Sequence, residues 1–290
     1  DLGSREQTLW PGPMESLQQP LQSGSQDQEQ PLFFVGDAQP WLKYRAGLIA
    51  RCDEWHLHAA AGRAALAAGE ADRLFPPPAV SPALAASSRW RPAVGPLRLV
   101  LVTVGGVFGG SDGPAGLFGY LAAVADPGMA FLQLDTGHDQ EVATAVLRAG
   151  LRWLMATQPE AAGRIVLAGF SMGSATCAEA CAEVAPAVLG VLFVGGQTLG
   201  TQGLVSLRGK PALLVHGDKD PKVSVSCCAR LAETLGGGAN VQMAVLPQSQ
   251  PPLNASALEH LSKHHLWDER WEVQALALAW LRSLVRTAAQ

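Results

Sequence analysis

From Pro96 onward the chain alternates short, wholly apolar runs with longer segments in which apolar residues recur at helical spacing. The apolar runs predict strands at Leu97–Val104, Ala130–Asp135, Arg164–Ala168, Val188–Val194, Ala212–His216 and Val241–Leu246. The periodic segments predict helices near Gly116–Ala125, Glu141–Thr157, Ser174–Val184, Ser224–Leu235 and Glu269–Arg286. This alternation is typical of βαβ units. It predicts an α/β fold with a mostly parallel sheet of at least six strands, flanked by helices.

The last predicted helix has a clear apolar face. Val273, Leu276, Trp280 and Leu284 recur at intervals of three and four residues. Residues at that spacing share one side of a helix. We therefore expect these four side chains to pack on the sheet.

The chain before Pro96 has a different character. Residues 1–30 are rich in Gln, Ser, Gly and Pro and show no apolar period, which predicts a flexible tail. The Ala-rich stretch from Trp41 to Leu74 predicts a helix, which the three prolines at 76–78 end. We expect three units: the tail, a helical extension over 31–95, and one α/β domain over 96–290.

Composition excludes several classes of protein. The net charge of −4 argues against nucleic acid or an anionic membrane as the main partner. The longest apolar run, about 13 residues from Val184 to Gly196, falls short of the roughly 20 that a membrane-spanning helix needs. An odd number of cysteines, five, and no secretory signal favour a reducing, cytoplasmic location. An organelle address removed ahead of Asp1 is an open alternative, and the sequence indicates no particular oligomeric state.

Two of the cysteines, Cys177 and Cys181, fall one helical turn apart. A zinc site needs about four ligands, and neither a second such pair nor a nearby histidine completes the set. The sequence therefore predicts no metal site.

The strongest chemical motif is Gly169-Phe170-Ser171-Met172-Gly173, which follows a predicted strand and precedes a predicted helix. In that context G-x-S-x-G forms a sharp turn that exposes a nucleophilic serine. The two glycines relieve clashes with the neighbouring strand and helix. We expect Ser171 to be the nucleophile.

A catalytic triad on such a fold runs in the chain order Ser, acid, His. Asp218 and Asp220 both leave the carboxyl end of the strand Ala212–His216, where catalytic groups of open α/β sheets gather. Asp218 lies closer to the turn, where its carboxylate can bind backbone N–H groups. We therefore choose Asp220 as the acid.

Candidates for the base are His260, His264 and His265, which precede the last helix. We choose His264, because Leu266 and Trp267 then follow as packing residues. A neutral imidazole there can accept the proton of the nucleophile while the acid fixes its tautomer. His265 is the second choice and His260 the third.

Acyl transfer also needs donors for the developing oxyanion. One is the backbone N–H of Met172, directly after the nucleophile. The other should come from the glycine-rich loop Gly105–Gly110, where we choose the N–H of Val107, with Phe108 second. A phosphate-binding loop is the competing interpretation, but the stretch has neither a Lys-Ser/Thr pair nor G-x-G-x-x-G order. Phe108 and Phe170 are candidate walls of a substrate pocket, and core packing explains Phe170 equally well.

Taken together with Leu134–His138, these motifs resemble the α/β-hydrolase superfamily. The nearest resemblance is to small lidless serine hydrolases: dienelactone-hydrolase-like proteins, carboxylesterases and acyl-protein thioesterases. It covers roughly residues 96–286. It implies that Ser171, Asp220 and His264 form a triad that cleaves a small carboxylic ester or thioester through an acyl-Ser171 intermediate, without a cofactor. Only about 14 residues separate the strand ending near Gly196 from the next at Pro211, which leaves no room there for a helical lid. We therefore expect a fairly open site, unless residues 31–95 cover it.

The sequence departs from the family pattern in three places. Gly105-Gly106 replaces the usual His-Gly of the oxyanion loop. The two strands that commonly open the fold are not evident, unless the stretch Leu32–Val35 supplies one of them. The loop from Pro247 to Lys263 is longer than usual, which weakens the choice among the histidines. Two alternatives therefore remain. One is a non-catalytic protein of this fold that binds a ligand or a partner. The other is a peptidase or an acyltransferase that uses the same triad.

Overall fold

The computed structural model describes residues 88–106, 113–124, 126–134, 136, 139–250, 255 and 257–287. The predicted tail, the predicted helix from Trp41 to Leu74, and the loop residues Val107 and Phe108 lie outside the described residues.

One seven-stranded sheet organises the described part of the chain. Its strands are β1 (Arg89–Arg91), β2 (Leu99–Val104), β3 (Met129–Leu134), β4 (Ile165–Phe170), β5 (Val188–Val194), β6 (Ala212–Gly217) and β7 (Val241–Leu246). Their order across the sheet is β1-β3-β2-β4-β5-β6-β7, and every neighbouring pair is parallel except β1 with β3. The predicted mostly parallel α/β sheet is confirmed. Strand β1 precedes the predicted start of the domain. It has only three residues, which are too few to show the alternation of a strand.

Six α-helices flank the sheet within the described residues. They are α1 (Leu117–Val124), α2 (Gln140–Thr157), α3 (Met172–Val184), α4 (Ser226–Thr234), α5 (Ala257–His264) and α6 (Arg270–Thr287). Helix α5 was not predicted, because it is only eight residues long and follows a proline-rich stretch. A short 3₁₀ helix, Thr201–Leu207, occupies the connection between β5 and β6, where a lid would be inserted.

The central strands are apolar throughout because both faces of the sheet are covered. Along β2, Val100 and Val102 point into the core cluster that lies on one face of the sheet. The alternate residues Leu99 and Leu101 point into a second cluster on the other face. All four side chains are fully buried. The carboxyl ends of the parallel strands therefore meet at one edge of a rigid sheet.

Helix α6 packs on the second of these clusters, and its buried face differs from the predicted one at a single position. Val273, Trp280 and Leu284 are buried as expected. Leu276 is 36% exposed, whereas Leu281 is completely buried. The buried stripe drifts around the helix because 3.6 residues per turn do not match a fixed spacing of three or four.

None of the helices within the described residues is both long and apolar enough to cross a membrane.

The two leucines of α6 provide a matched test of this packing. Leu281→Ala should lower the free energy of unfolding by about 2–5 kcal/mol, because it leaves a cavity in the core. Leu276→Ala on the same helix should cost less than about 1 kcal/mol. Urea denaturation of both variants measures the difference. Equal losses would show that α6 does not pack as described.

Candidate active site

A strained turn places Ser171 at the carboxyl edge of the sheet. Strand β4 ends at Phe170, helix α3 begins at Met172, and Ser171 between them has φ 52° and ψ −118°. Positive φ is uncommon for a residue other than glycine and costs about 1–3 kcal/mol. Hydrogen bonds hold the turn: Ser171 N donates to the Val194 carbonyl at 3.1 Å, and Ser174 Oγ donates to the Ser171 carbonyl at 2.7 Å.

The glycines on either side of the turn permit backbone contacts that no side chain would allow. A Cβ atom on Gly169 would lie 2.5 Å from the carbonyl oxygen of Gly173. A Cβ atom on Gly173 would lie 2.4 Å from the carbonyl oxygen of Val104, at the end of β2. The turn therefore packs directly on the neighbouring strand, as the G-x-S-x-G motif predicts.

Gly106 lies next to this turn. A Cβ atom there would come within 2.9 Å of the Phe170 ring and 3.3 Å of the Ser171 Cβ. The loop that follows β2 therefore begins directly beside the serine. It continues into the candidate oxyanion donor Val107 and its alternative Phe108, both outside the described residues. The other candidate donor, the N–H of Met172, belongs to the first turn of α3, whose amides have no partner within the helix.

Asp220 lies in the turn after β6 with its side chain only 1% exposed. Oδ1 accepts the backbone N–H groups of Lys222 at 2.8 Å and Val223 at 3.0 Å. Oδ2 lies 2.7 Å from Nδ1 of His264. Burial raises the pKa of Asp220, but the charge and hydrogen bond of His264 and the two backbone donors outweigh it, so the pKa lies below its ordinary value. Asp220 is therefore held as a carboxylate.

The competing carboxylate, Asp218, has a different role in the structure. Its Oδ1 accepts the backbone N–H of Gln248 at 2.7 Å, and its Oδ2 forms an ion pair with Lys219. The hydrogen bond from Gln248 is the main cause that lowers the pKa of Asp218. Asp218 thus anchors the loop after β7, and the structure brings Asp220 rather than Asp218 to His264.

His264 is the last residue of α5 and is 4% exposed. Its ring lies against the Phe170 ring, with centroids 4.9 Å apart. A Cβ atom on Gly195 would lie 3.3 Å from His264 Cε1, and Gly195 directly follows the Val194 carbonyl that binds the Ser171 N–H. The imidazole therefore lies beside the serine turn. Because Nδ1 faces the carboxylate, a neutral ring carries its lone pair on Nε2.

The end of helix α5 holds His264 in place. Leu266 N donates to the Lys263 carbonyl at 3.0 Å, and Trp267 N donates to the Ser262 carbonyl at 3.1 Å. These two bonds form a Schellman motif, in which Leu266 takes the left-handed conformation at φ 53° that usually requires glycine. Leu266 and Trp267 are buried, as predicted from their position after the histidines.

The other histidines occupy different positions. The ring of His265 packs edge-on against Phe170, with ring centroids 4.7 Å apart. His260 lies on α5, four residues before His264. His216 lies in β6, and its Nε2 lies 2.9 Å from the Val223 carbonyl and 3.5 Å from Asp220 Oδ2. Burial lowers the pKa of His216, so it is neutral near pH 7.

Phe170 is 4% exposed, and its ring belongs to the core cluster under α6. This position favours core packing over a role as a pocket wall. The contacts of the ring with His264 and His265 make it a support for the histidine segment.

Cys177 and Cys181 are buried side by side in α3. Burial raises the pKa of both thiols, that of Cys181 to about 12. Protonated thiols bind metals poorly. Among the described residues no group of three or more His, Cys, Asp or Glu side chains is placed to hold a metal ion.

Gly173→Ala tests the packing of the serine turn. The added methyl group cannot avoid the Val104 carbonyl unless α3 separates from β2, so the variant should lose about 1–3 kcal/mol of stability or fail to fold. Gly95→Ala is the control, because its nearest contact would be at an ordinary 3.8 Å. Urea denaturation compares them, and equal stabilities would contradict the described packing.

Asp220→Asn tests the charge of the acid. A carboxylate whose pKa is lowered on folding stabilises the protein fully above its unfolded pKa, about 4, and this stability disappears as pH falls through the folded pKa. The wild type should exceed the variant in unfolding free energy near pH 7, and the difference should shrink below about pH 4. Asp126→Asn, in a partly exposed ion pair with Arg282, is the control. A difference independent of pH would contradict the prediction.

Comparisons with known proteins indicate a family and a fold. Residues 151–266, which contain Ser171, Asp220 and His264, match the phospholipase/carboxylesterase family. The structure is similar to that of dienelactone hydrolase from Anabaena variabilis, with TM-score 0.52 and 19% identity over 68% of this chain and 91% of that one. It is also similar to an esterase from Pyrococcus furiosus, with TM-score 0.53 and 16% identity over 69% of this chain and 88% of that one. No match is found among curated proteins.

Identities this low establish the fold alone. The match of residues 151–266, the parallel sheet and the serine turn agree with it. The described part of the chain therefore has the fold of the α/β-hydrolases, without an inserted lid between β5 and β6.

Proposed function

We propose that the protein is a serine hydrolase that cleaves carboxylic esters or thioesters, with Ser171 as nucleophile, His264 as base and Asp220 as acid. The observation that carries the proposal is the 2.7 Å contact between Asp220 Oδ2 and His264 Nδ1 beside the strained Ser171 turn. The matched family is described as phospholipase/carboxylesterase, and the two similar structures are named dienelactone hydrolase and esterase. These names support an ester as the substrate.

The proposed reaction has two halves. In the first, Ser171 Oγ attacks the carbonyl carbon and its proton passes to Nε2 of His264, whose positive charge Asp220 stabilises. The N–H groups of Met172 and Val107 bind the oxyanion. The intermediate then collapses, the alcohol or thiol leaves with the proton from His264, and an acyl-Ser171 ester remains.

In the second half, water attacks the acyl-enzyme. His264 accepts a proton from the water as the new C–O bond forms, and it returns that proton to Ser171 Oγ as the acyl–serine bond breaks. The carboxylic acid is released, and the enzyme regains its starting state. Each half transfers one proton in each direction through the same imidazole, so the chemistry needs no oxidant, reductant or cofactor.

The connection between β5 and β6 indicates the size of the substrate. Residues 195–211 contain only the 3₁₀ helix Thr201–Leu207 and adjoining turns. No segment at that place covers the serine. We therefore propose a small-molecule ester or thioester rather than a long-chain lipid, with Phe108 as one wall of the pocket.

Labelling with a fluorophosphonate, followed by intact mass and peptide mapping, tests the proposal. The wild type should take one adduct on Ser171, and Ser171→Ala should take none. His264→Ala should label at least about 100-fold more slowly, because general-base catalysis typically contributes that much. His265→Ala is the matched control and should label at the wild-type rate. Release of acid from an ester and thioester series then defines the substrate.

Other labelling outcomes would assign the base or the activity differently. Slow labelling of His265→Ala with normal labelling of His264→Ala would assign the base to His265. No adduct on folded wild-type protein would refute the enzyme and favour the ligand-binding alternative, which the Gly105-Gly106 departure suggests. Transfer of the acyl group to an added amine or alcohol in preference to water would indicate an acyltransferase. Cleavage of peptides would indicate a peptidase.

A further inference from the structure

Gln248 lies where three segments meet near the candidate triad. Its backbone N donates to Asp218 Oδ1 at 2.7 Å, in the turn after β6. Its side-chain Nε2 donates to the Lys263 carbonyl at 2.9 Å, at the end of α5, and to Glu269 Oε2 at 3.0 Å. The residue is 8% exposed. One buried glutamine therefore joins the loop after β7 to the turn after β6 and to the end of α5.

The contact with Lys263 acts on the base directly. The last carbonyls of a helix have no partner within it. The Lys263 carbonyl is part of the peptide group that begins His264, so a hydrogen bond to it fixes the backbone that carries the imidazole. Leu266 N also donates to this oxygen. The Gln248 amide thus adds a second donor, from outside the helix.

The contact with Asp218 acts on the acid. Asp218 and Asp220 belong to the same turn, and Asp220 N donates to the Gly217 carbonyl at 3.3 Å within it. Through its backbone Gln248 holds this turn, and through its side chain it holds the peptide of His264. The 2.7 Å contact between Asp220 and His264 spans the same two segments. Gln248 is therefore a second, parallel connection between them.

The fit around Gln248 requires a specific neighbour. A Cβ atom on Gly217 would lie 2.1 Å from Gln248 Oε1, so only glycine allows the amide to occupy this position. Oε1 itself is buried, with no hydrogen-bond partner among the described residues. A buried acceptor without a partner is destabilising. The amide therefore keeps one unpaired oxygen buried while its Nε2 bonds Lys263 and Glu269.

We propose that Gln248 is a positioning residue that keeps His264 aligned with Asp220 and Ser171. This inference rests on the proposed hydrolase function and adds a residue outside the triad. Gln248 touches no reacting atom, and its side-chain amide acts on the candidate base only through the backbone of His264. Lys263 Nζ contacts Ser249 and Asp268 and holds the same segment from its outer side, so loss of Gln248 loosens the base without releasing it.

The test is Gln248→Met, which keeps the length and the backbone bond to Asp218 but removes the amide. We expect kcat for an ester, and the maximal rate of fluorophosphonate labelling, to fall about tenfold, since small misplacements of a catalytic group are costly. KM and the reagent affinity should stay within about twofold. The melting temperature should change little, because removal of the unpaired acceptor offsets the loss of the two Nε2 hydrogen bonds. Gln242→Met, on the exposed side of β7, is the matched control and should change nothing.

Combination with His264→Ala separates positioning from structure. If Gln248 acts through His264, Gln248→Met should change the labelling rate of His264→Ala by less than about twofold. An equal tenfold loss in both backgrounds would overturn the proposal, and so would an unchanged kcat in the single variant. If Gln248→Met fails to fold, Glu269→Ala removes one of the two acceptors instead. It should lower kcat about threefold at constant KM, and an unchanged kcat would again refute the proposal.

The two proposals fail in different ways. Wild-type protein that takes no adduct, or His264→Ala that labels normally, contradicts the hydrolase itself. Normal labelling of Gln248→Met, while His264→Ala is slow, contradicts only the role of Gln248.

Discussion

The hydrogen bond between Asp220 and His264 is the interaction on which the candidate site depends. A carboxylate buried as deeply as that of Asp220 is costly unless its oxygens are satisfied. Here the backbone of Lys222 and Val223 satisfies Oδ1, and the imidazole satisfies Oδ2. The same contact sets the tautomer of the ring, so the lone pair of a neutral imidazole lies on Nε2. The stability of the fold and the proposed chemistry therefore both depend on one hydrogen bond, between the turn after β6 and the end of α5.

The strained serine turn is the second constraint, and the sheet explains why it persists. Strand β4 is central, with β2 on one side and β5 on the other, and both of its faces are covered. Gly173 brings helix α3 into backbone contact with the end of β2. A conformation that is unfavourable alone is fixed because the surrounding packing leaves no alternative. The rigid edge then presents Ser171, and the turn and helix end that carry Asp220 and His264 converge on it.

Much of this arrangement could be predicted from the sequence because the parallel strands are continuous apolar runs. Their order along the chain placed Ser171 and Asp220 at strand ends, and the buried pair after the histidines favoured His264. Features that depend on contacts between segments distant in sequence could not be predicted. Helix α5 has too few residues to show a period. The exposure of Leu276 could not be predicted, because it depends on how far the buried stripe drifts around helix α6. The proximity of His216 to Asp220 and the bridging position of Gln248 appear only when the turns after β6 and β7 are side by side.

The central claim is that Asp220 orients His264 to activate Ser171. Proton NMR of the exchange-protected Nδ1–H of His264 tests it most directly. We predict a downfield resonance that is lost in Asp220→Asn and in His264→Ala, is kept in His265→Ala, and moves when a fluorophosphonate modifies Ser171. A resonance that survives Asp220→Asn, or that does not respond to modification of Ser171, would contradict the account.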